Sequence, residues 1–388
     1  MKVCFETFGC RLNRAEALSQ EAGFLARGWT ATDSHAAADL IVVRGCSVTA
    51  RAQHDCERMI AHLRAKYPTK RLVVTGCLNE KRNELLLRDL SKVAVPTRTA
   101  RAYLKVQDGC SGACSFCIVP RFRGPAVSQD ATGVLDAAKR FIEAGYREIV
   151  VTGCNLSSYS SQGLRLAGLV DRLATLDASC RVRVGSVEPG PAADEFVETM
   201  AANANICRYL HLPIQSGSNP VLSGMRRPYS VKTVEAVISK AVRLMPGVAI
   251  GCDLMTGFPG ESEIDFLATQ MLFKRFPIAR AHIFPYSERP GTPAAFLPMV
   301  VPGEIRRARA QDLAARADAE RKRFAKRFVG REVDVVIEDA ASSAGWTGEY
   351  FWCRARHVLS EKFRPVRKSR VTFKVSSVEG HVLVGDIV

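Results

Sequence analysis

The chain has 388 residues, 47% hydrophobic and 24% charged, a make-up that excludes a disordered or fibrous protein and predicts two or three domains. No apolar run approaches the ~20 residues that span a bilayer, and MKVCFETFGC lacks the apolar stretch of a signal peptide, so the cytoplasm is the expected compartment. A net charge of +16 points to a polyanionic partner, nucleic acid ahead of membrane.

In a reducing compartment, 13 cysteines argue for metal or redox chemistry rather than disulfides. Several are expected to be small buried apolar residues. Three share one setting. VCFETFGC ends at Cys10, DLIVVRGC at Cys46 and RLVVTGC at Cys77, each a β-rich run closing on Gly-Cys. Helical patterns over 14–27 and 50–66 separate them, so the order is strand, helix, strand, helix, strand. Such units build a parallel sheet with right-handed crossovers, whose strands end on one edge, where open α/β sheets bind ligands. Cysteines separated by 35 and 30 intervening residues thereby converge, and a shared metal site is the expectation.

From about residue 102, six strand-like runs alternate with helices: 102–109, 148–153, 181–189, 208–217, 248–260 and 279–287. Helical patterns fall near 129–144, 165–176, 192–203, 230–244 and 261–275. Strict βα alternation predicts a parallel sheet, open or curled into a barrel, with chemistry at the carboxyl ends of its strands. Gly153, Asn155, Glu188, Gln215, Ser216 and Asp253 occupy such ends, where a turn or capping role is the plain alternative. Directly after the first strand comes QDGCSGACSFCIVPRFRGP, with Cys110, Cys114 and Cys117 and no fourth cysteine nearby. Structural zinc takes four ligands, and ferredoxin loops use four cysteines at other spacings. C-x3-C-x2-C leaves one iron of a [4Fe–4S] cube open to a substrate or cofactor.

This motif, with Phe116 before its last cysteine and a βα barrel around it, resembles the radical S-adenosylmethionine (SAM) superfamily. The resemblance implies that the open iron binds SAM, and that the reduced cluster cleaves it to methionine and a 5′-deoxyadenosyl radical. GCRLN (9–13), GCSVT (45–49) and TGC (75–77) resemble the methylthiotransferase family more narrowly. So do SVEP (186–189), HLPIQSGSNPVLSGMRRPYS (211–230), DLMTGFPGES (253–262) and FPYSERPGTPAA (284–295). The match covers almost the whole chain. It implies a partial (β/α)6 barrel, a second [4Fe–4S] cluster on Cys10, Cys46 and Cys77, and SAM seated by Phe116, Gly153, Asn155, Glu188, Gln215, Ser216 and Asp253. One SAM would methylate a sulfur at the auxiliary cluster; cleavage of a second would activate the acceptor carbon.

Family targets are isopentenyladenosine in tRNA, threonylcarbamoyladenosine in tRNA, and an aspartate of a ribosomal protein. CSVT, RGP and HIFPYSERPGT are most similar to the threonylcarbamoyladenosine branch, which implies methylthiolation at carbon 2 beside the anticodon. The anticodon stem-loop would be the partner, with a reductant protein as electron source. A non-catalytic iron–sulfur RNA-binding protein is the remaining alternative.

The C-terminus fits RNA. A basic helix is predicted over 304–328, and 329–388 turns β-rich and resembles the small TRAM β-barrel, an OB-like RNA-binding module. RARHVLSEKFRPVRKSR contributes Arg354, Arg356, Lys362, Arg364, Arg367, Lys368 and Arg370, suited to salt-sensitive phosphate contacts. Trp346, Tyr350, Phe351 and Trp352 are candidates to stack on unpaired bases, or to fill the barrel's core. The expected domains are 1–98, 99–325 and 326–388.

Three features depart from the family pattern. Only 32 residues separate Cys77 from Cys110, which implies an abridged first domain. Arg44-Gly45 stands before Cys46 where relatives have Asn-Thr, which removes an expected hydrogen bond near the cluster. Cys154 and Cys252 occupy barrel strands near the mouth and read as packing residues.

Overall fold

A computed structural model describes residues 1–78, 95, 99–358 and 364–388. The first unit is β1 (Lys2–Thr7), α1 (Arg11–Leu25), β2 (Thr30–Ala31), β3 (Leu40–Gly45), α2 (Ala50–Lys66) and β4 (Arg71–Gly76). Its strands pair in parallel in the order β2-β1-β3-β4. The run LIVVRG of β3 is buried throughout, as a central parallel strand covered on both faces must be. Ile60 and Leu63 of α2 close one face over Cys4, Ile41 and Val43. The helix starts at Thr49, whose hydroxyl accepts from the Ala52 amide at 3.2 Å. The two-residue β2 is too short to show alternation in the sequence.

The second unit contains β5 (Ala102–Lys105), a small ribbon of β6 (Gln107–Asp108) and β7 (Val127–Ser128), then β8 (Glu148–Thr152). Another ribbon, β9 (Ser160–Ser161) with β10 (Leu164–Arg165), precedes β11 (Arg181–Val184), β12 (Tyr209–Gln215), β13 (Ala249–Thr256) and β14 (Ile278–Pro285). Parallel sheets β5-β8-β11 and β12-β13-β14 meet through bridges Val182–Ile206 and Ser186–His211. The six main strands therefore follow one another around a curved wall, the partial barrel expected. Five helices cover its outside: α4 (Ala131–Glu143), α5 (Leu166–Ala174), α6 (Pro191–Ala202), α8 (Val231–Leu244) and α9 (Glu263–Arg275). Two short helices have no expected counterpart in the hydrophobic pattern, α3 (Val119–Arg123) just after the cysteine loop and α7 (Asn219–Gly224). Single turns of helix carry too few residues to declare a period.

The basic helix α10 (Gly303–Ala325) is a sixth wall element against β14, with Leu313, Ala317 and Phe324 buried. Arg309 reaches Glu261 at 2.6 Å and Glu263 at 3.0 Å, and Lys322 pairs with Asp318 at 2.6 Å. Much of its charge thus serves the fold. Beyond it, β15 (Glu332–Asp339), β16 (Ala344–Thr347), β17 (Trp352–Val358), β18 (Arg370–Glu379) and β19 (Val382–Ile387) close into a barrel, β15-β16-β17-β19-β18. GWTGEYFWCRARHVL, which reads as one β-rich segment, is a hairpin.

Buried charge docks this small barrel on the larger one. Glu148, fully buried, accepts from Arg181 Nε at 2.8 Å and from Arg183 Nε at 2.7 Å. The two guanidinia then donate to the carbonyls of Asp334, Trp346, Thr347 and Gly348 at 2.6–3.0 Å. Phe351 lies in the small barrel's core against Phe324 and Phe328. Tyr350 enters the larger barrel beside Tyr209, with guanidinia of Arg11, Arg183 and Arg280 at 4.6–4.9 Å from its ring. The Phe351 ring is not available for base stacking, whereas the half-buried Tyr350 stacks on Trp346 with ring centroids 4.8 Å apart. The half-buried Trp346 and Trp352 pack edge-to-face on each other at 5.0 Å.

Candidate functional site

The turns after β1, β3 and β4 carry Cys10, Cys46 and Cys77 to one edge of the first sheet. Gly76 sits at φ +84°, and a β-carbon there would come 2.7 Å from the Gly45 carbonyl oxygen, so only glycine lets these turns meet. Asn13 ties them together: its Nδ2 donates to the carbonyls of Phe8 at 2.8 Å and Gly45 at 2.9 Å. The Cys77 amide donates to Gly45 O at 3.1 Å, and Ser47 Oγ to Cys77 O at 2.6 Å. Cys10 is exposed; Cys46 and Cys77 are buried. Burial pushes the Cys46 thiol up to about 11, with the neighbouring cysteines adding to the effect. A metal bound there therefore displaces protons as it loads.

Cys110, Cys114 and Cys117 lie in a loop pinned from several sides. The Cys110 amide donates to Gly124 O at 2.9 Å, and Ser115 joins Met225 and Gly224 by its amide and hydroxyl. Gly109, at φ +66°, leaves no room for a β-carbon, which would fall 2.0 Å from Pro125 O. All three cysteines are half-buried, and Cys117 is raised to about 11 by burial. Donors already face the sulfurs. The Gly112 amide lies 3.3 Å from Cys110 Sγ, and Arg227 Nη1 lies 2.9 Å from Cys114 Sγ. Both trios thus offer three thiols with cationic or amide donors beside them, a set that fits an iron–sulfur cluster with one iron left open.

Arg123 joins the two trios. It ends the helix that follows Cys117, yet its Nε donates to Cys77 Sγ at 3.1 Å and its Nη2 to Asn13 Oδ1 at 2.8 Å. Its Nη1 lies 2.9 Å from Glu16 and 3.0 Å from Asp108. Lys105 reaches the same two carboxylates, at 2.5 and 2.7 Å, and the buried Arg44 completes the group on Glu16. Burial alone would raise Glu16, but Lys105, Arg123 and Arg44 together hold it well below the usual carboxylate range. Arg44, the departure noted before Cys46, is therefore a member of this network. The sequence showed Arg123 only as part of RFRGP and gave no reason to single out Glu16.

The strand-end residues divide. Glu188 Oε1 accepts from Arg227 Nη2 at 2.6 Å, and Arg227 Nε also donates to Tyr229 at 2.8 Å. Gln215 adopts φ +68°, and its buried Oε1 has no donor among the described residues. Asp253 accepts from His211 Nε2 at 3.1 Å. Gly153 packs on Gln107, whose Oε1 accepts from the Asn155 amide at 2.8 Å. Phe116 packs against Met225, Met255 and Phe258. Ser216 is fully buried, with its hydroxyl 3.3 Å from that of Thr269, and serves the fold. Arg227 carries no signal within MRRPYS; only the folded chain brings it to Cys114. Cys252 is a core residue of the barrel. Cys154 is half-buried, 3.5 Å from Asp108 Oδ1 and near enough to Cys10 and Arg123 for their charges to act on it.

In the small barrel, Arg354, Arg356, Arg364 and Arg367 are exposed. Arg354 pairs with Glu379 at 2.5 Å, and Arg356 donates to Ser377 at 2.8 Å. Lys368 instead lies 3.6 Å over the Tyr146 ring, and Arg370 donates to Ala178 O at 3.1 Å, both against the larger barrel. Lys362 lies outside the described residues.

A curved parallel barrel with a three-cysteine loop after its first strand defines a radical SAM protein, and residues 104–273 match the Radical SAM superfamily model. Residues 2–96 match an uncharacterised family, UPF0004. The threonylcarbamoyladenosine tRNA methylthiotransferase MtaB of Bacillus subtilis is 30% identical, over 87% of this chain and 85% of that one. A tRNA-2-methylthio-N(6)-dimethylallyladenosine synthase of Cereibacter sphaeroides is also 30% identical, with 89% of both chains covered. Among solved structures, the radical SAM methyltransferase TsrM of Kitasatospora setae shares the fold, with a TM-score of 0.55 at 13% identity over 76% of this chain and 75% of that one. The chain belongs to the radical SAM methylthiotransferase family. No helix among the described residues is long and apolar enough to cross a membrane.

Proposed function

We propose that this protein adds a methylthio group to carbon 2 of N6-threonylcarbamoyladenosine next to the anticodon of tRNA. The observation that carries the reading is the pair of cysteine trios joined through Arg123. Cys110, Cys114 and Cys117 hold one [4Fe–4S] cluster and Cys10, Cys46 and Cys77 the other. With SAM, such clusters supply cleavage of an aromatic C–H bond and delivery of sulfur, which no side-chain acid or base achieves at neutral pH.

The chain's own residues bind and orient. Arg227, the Gly112 amide and Arg123 donate to Cys114, Cys110 and Cys77 and offset thiolate charge. The carboxylate of Glu188, clamped by Arg227, and the unpaired Oε1 of Gln215 are acceptors suited to the SAM ammonium and ribose. Phe116, Gly153, Asn155 and Asp253 shape the same mouth. Three domains, 1–98, 99–325 and 326–388, divide the work between sulfur cluster, SAM chemistry and RNA. Exposed Arg354, Arg356, Arg364 and Arg367 contact phosphates of the anticodon stem-loop. A reductant protein supplies electrons, and the work is done in the cytoplasm.

Nucleoside mass spectrometry of tRNA from a deletion strain tests this reading. Loss of the methylthio group from threonylcarbamoyladenosine is the expected result. Its persistence there, or its loss from isopentenyladenosine instead, would overturn the assignment.

A further inference from the structure

Apart from the two cysteine trios, another cluster of ligand side chains stands on the first sheet. Cys4 and Glu6 alternate with Val3, Phe5 and Thr7 along β1 and so share one face of the strand. His35, in the loop between β2 and β3, reaches the same face, with its Nε2 2.7 Å from Glu6 Oε1. The Cys4 thiol completes the group: its sulfur, a ring nitrogen of His35 and a carboxylate oxygen of Glu6 all lie within 4.8 Å of one another. Among the described residues, no other three histidine, cysteine or acidic side chains are drawn this close.

The backbone holds the arrangement in place. The 32–39 loop is fastened to β1 at both ends, where the Thr32 amide donates to Val3 O at 3.0 Å and the Asp39 amide to Lys2 O at 2.9 Å. The Lys2 amide returns a bond to Asp39 Oδ2 at 2.7 Å. Within the loop, the Ala37 and Ala38 amides donate to Ser34 O and His35 O at 3.2 and 3.3 Å, a turn that sets His35. The Tyr67 ring flanks the imidazole, with centroids 6.3 Å apart. Cys4 is buried beneath Ile60 and Leu63 of α2, which shield the sulfur from water. The side chains of His35 and Glu6 are 24% and 30% exposed, so the opposite side is open to solvent.

One sulfur, one nitrogen and one oxygen make a set for a borderline-soft ion such as zinc, whereas magnesium and calcium take oxygen ligands. Around a tetrahedral ion with bonds of about 2.0–2.3 Å, ligand atoms stand roughly 3.3–3.8 Å apart. The His35–Glu6 contact is shorter than that, and two partly exposed side chains can part by the distance required. We propose that Cys4, Glu6 and His35 bind one divalent ion of the zinc class, with water in the fourth position, as a clasp between β1 and the 32–39 loop. On binding, the Cys4 thiol proton leaves to solvent, and the ion replaces the proton that His35 and Glu6 share. The site is separate from the cubes, since Cys4 lies near the start of β1 and Cys10 beyond its end. A small unit with a modest core gains stability from such an ion.

The test uses holoenzyme with both cubes assembled anaerobically, so that the cluster cysteines are occupied before zinc is added. After equilibration with Zn2+ and gel filtration, wild type should retain about one zinc per chain by plasma mass spectrometry, without loss of iron. Zinc K-edge absorption should show a single sulfur at about 2.3 Å, with the other ligands at about 2.0–2.2 Å. His35→Ala, at a partly exposed position, should abolish retention while leaving the iron content as in wild type, and Cys4→Ala should do the same. Zinc should raise the Tm of wild type and leave that of His35→Ala unmoved. A wild-type holoenzyme that retains no zinc overturns the proposal. So does retention undiminished in both variants, or a zinc shell of three or four sulfurs, which would put the ion in a cysteine trio.

Discussion

Replacing Glu16 by glutamine should loosen the joint between the two cysteine trios. Glu16 and Asp108 face three cations, Arg44, Lys105 and Arg123, and Glu16 and the two arginines are each less than a tenth exposed. Glutamine keeps the shape but leaves three positive charges to one carboxylate. Removing one partner from a buried ion group costs about 3–5 kcal/mol. One amide oxygen still accepts, so the lower end applies. With a urea slope of about 3 kcal/mol per molar, the unfolding midpoint should fall by about 1 M. Anaerobic equilibrium unfolding, followed by circular dichroism and tryptophan emission, measures it. The exposed pair Arg165–Glu195, at 2.9 Å, is the control: Glu195→Gln should cost no more than about 0.5 kcal/mol. If Glu16→Gln behaved like that control, the network would not be holding the two units together.

Anaerobically reconstituted protein should carry roughly eight irons per chain, for two cubes. Joint alanine substitution of Cys10, Cys46 and Cys77 should leave about four by iron analysis, and an unchanged count would refute the two-cluster assignment. Burial would raise Glu148, but Arg183, Arg181 and Arg101 hold it depressed in the folded state. Its contribution to stability is therefore fully present above the unfolded value of about 4.3 and is lost as pH falls toward the folded one. Glu148→Gln should flatten acid unfolding curves below about pH 4 while lowering stability at pH 7 by about 3 kcal/mol. If exposed Arg354, Arg356, Arg364 and Arg367 touch phosphates, replacing all four by glutamine should reduce the salt slope of stem-loop binding by about 3. A slope left as in wild type would place the RNA elsewhere on the protein.

Much of this protein is written in local pattern. The three Gly-Cys strand ends and the six βα repeats are legible because hydrophobic period and turn residues depend on near neighbours alone. The C-x3-C-x2-C spacing likewise names its chemistry without any fold. Other features belong to the tertiary structure. Nothing in MRRPYS says that Arg227 will lie 2.9 Å from Cys114, and nothing in RFRGP sends Arg123 to Cys77. Side chains more than 40 residues apart meet only when the sheets have closed, and charge pairing across such distances leaves no periodic trace. The basic run 354–370 shows the same division. Composition marks it for RNA, yet packing turns Lys368 and Arg370 inward and leaves Arg364 and Arg367 outside. Sequence determined which chemistry the chain can host, because ligand type and spacing are local. Tertiary structure decided which side chains hold, tune and select, because contact and burial are not.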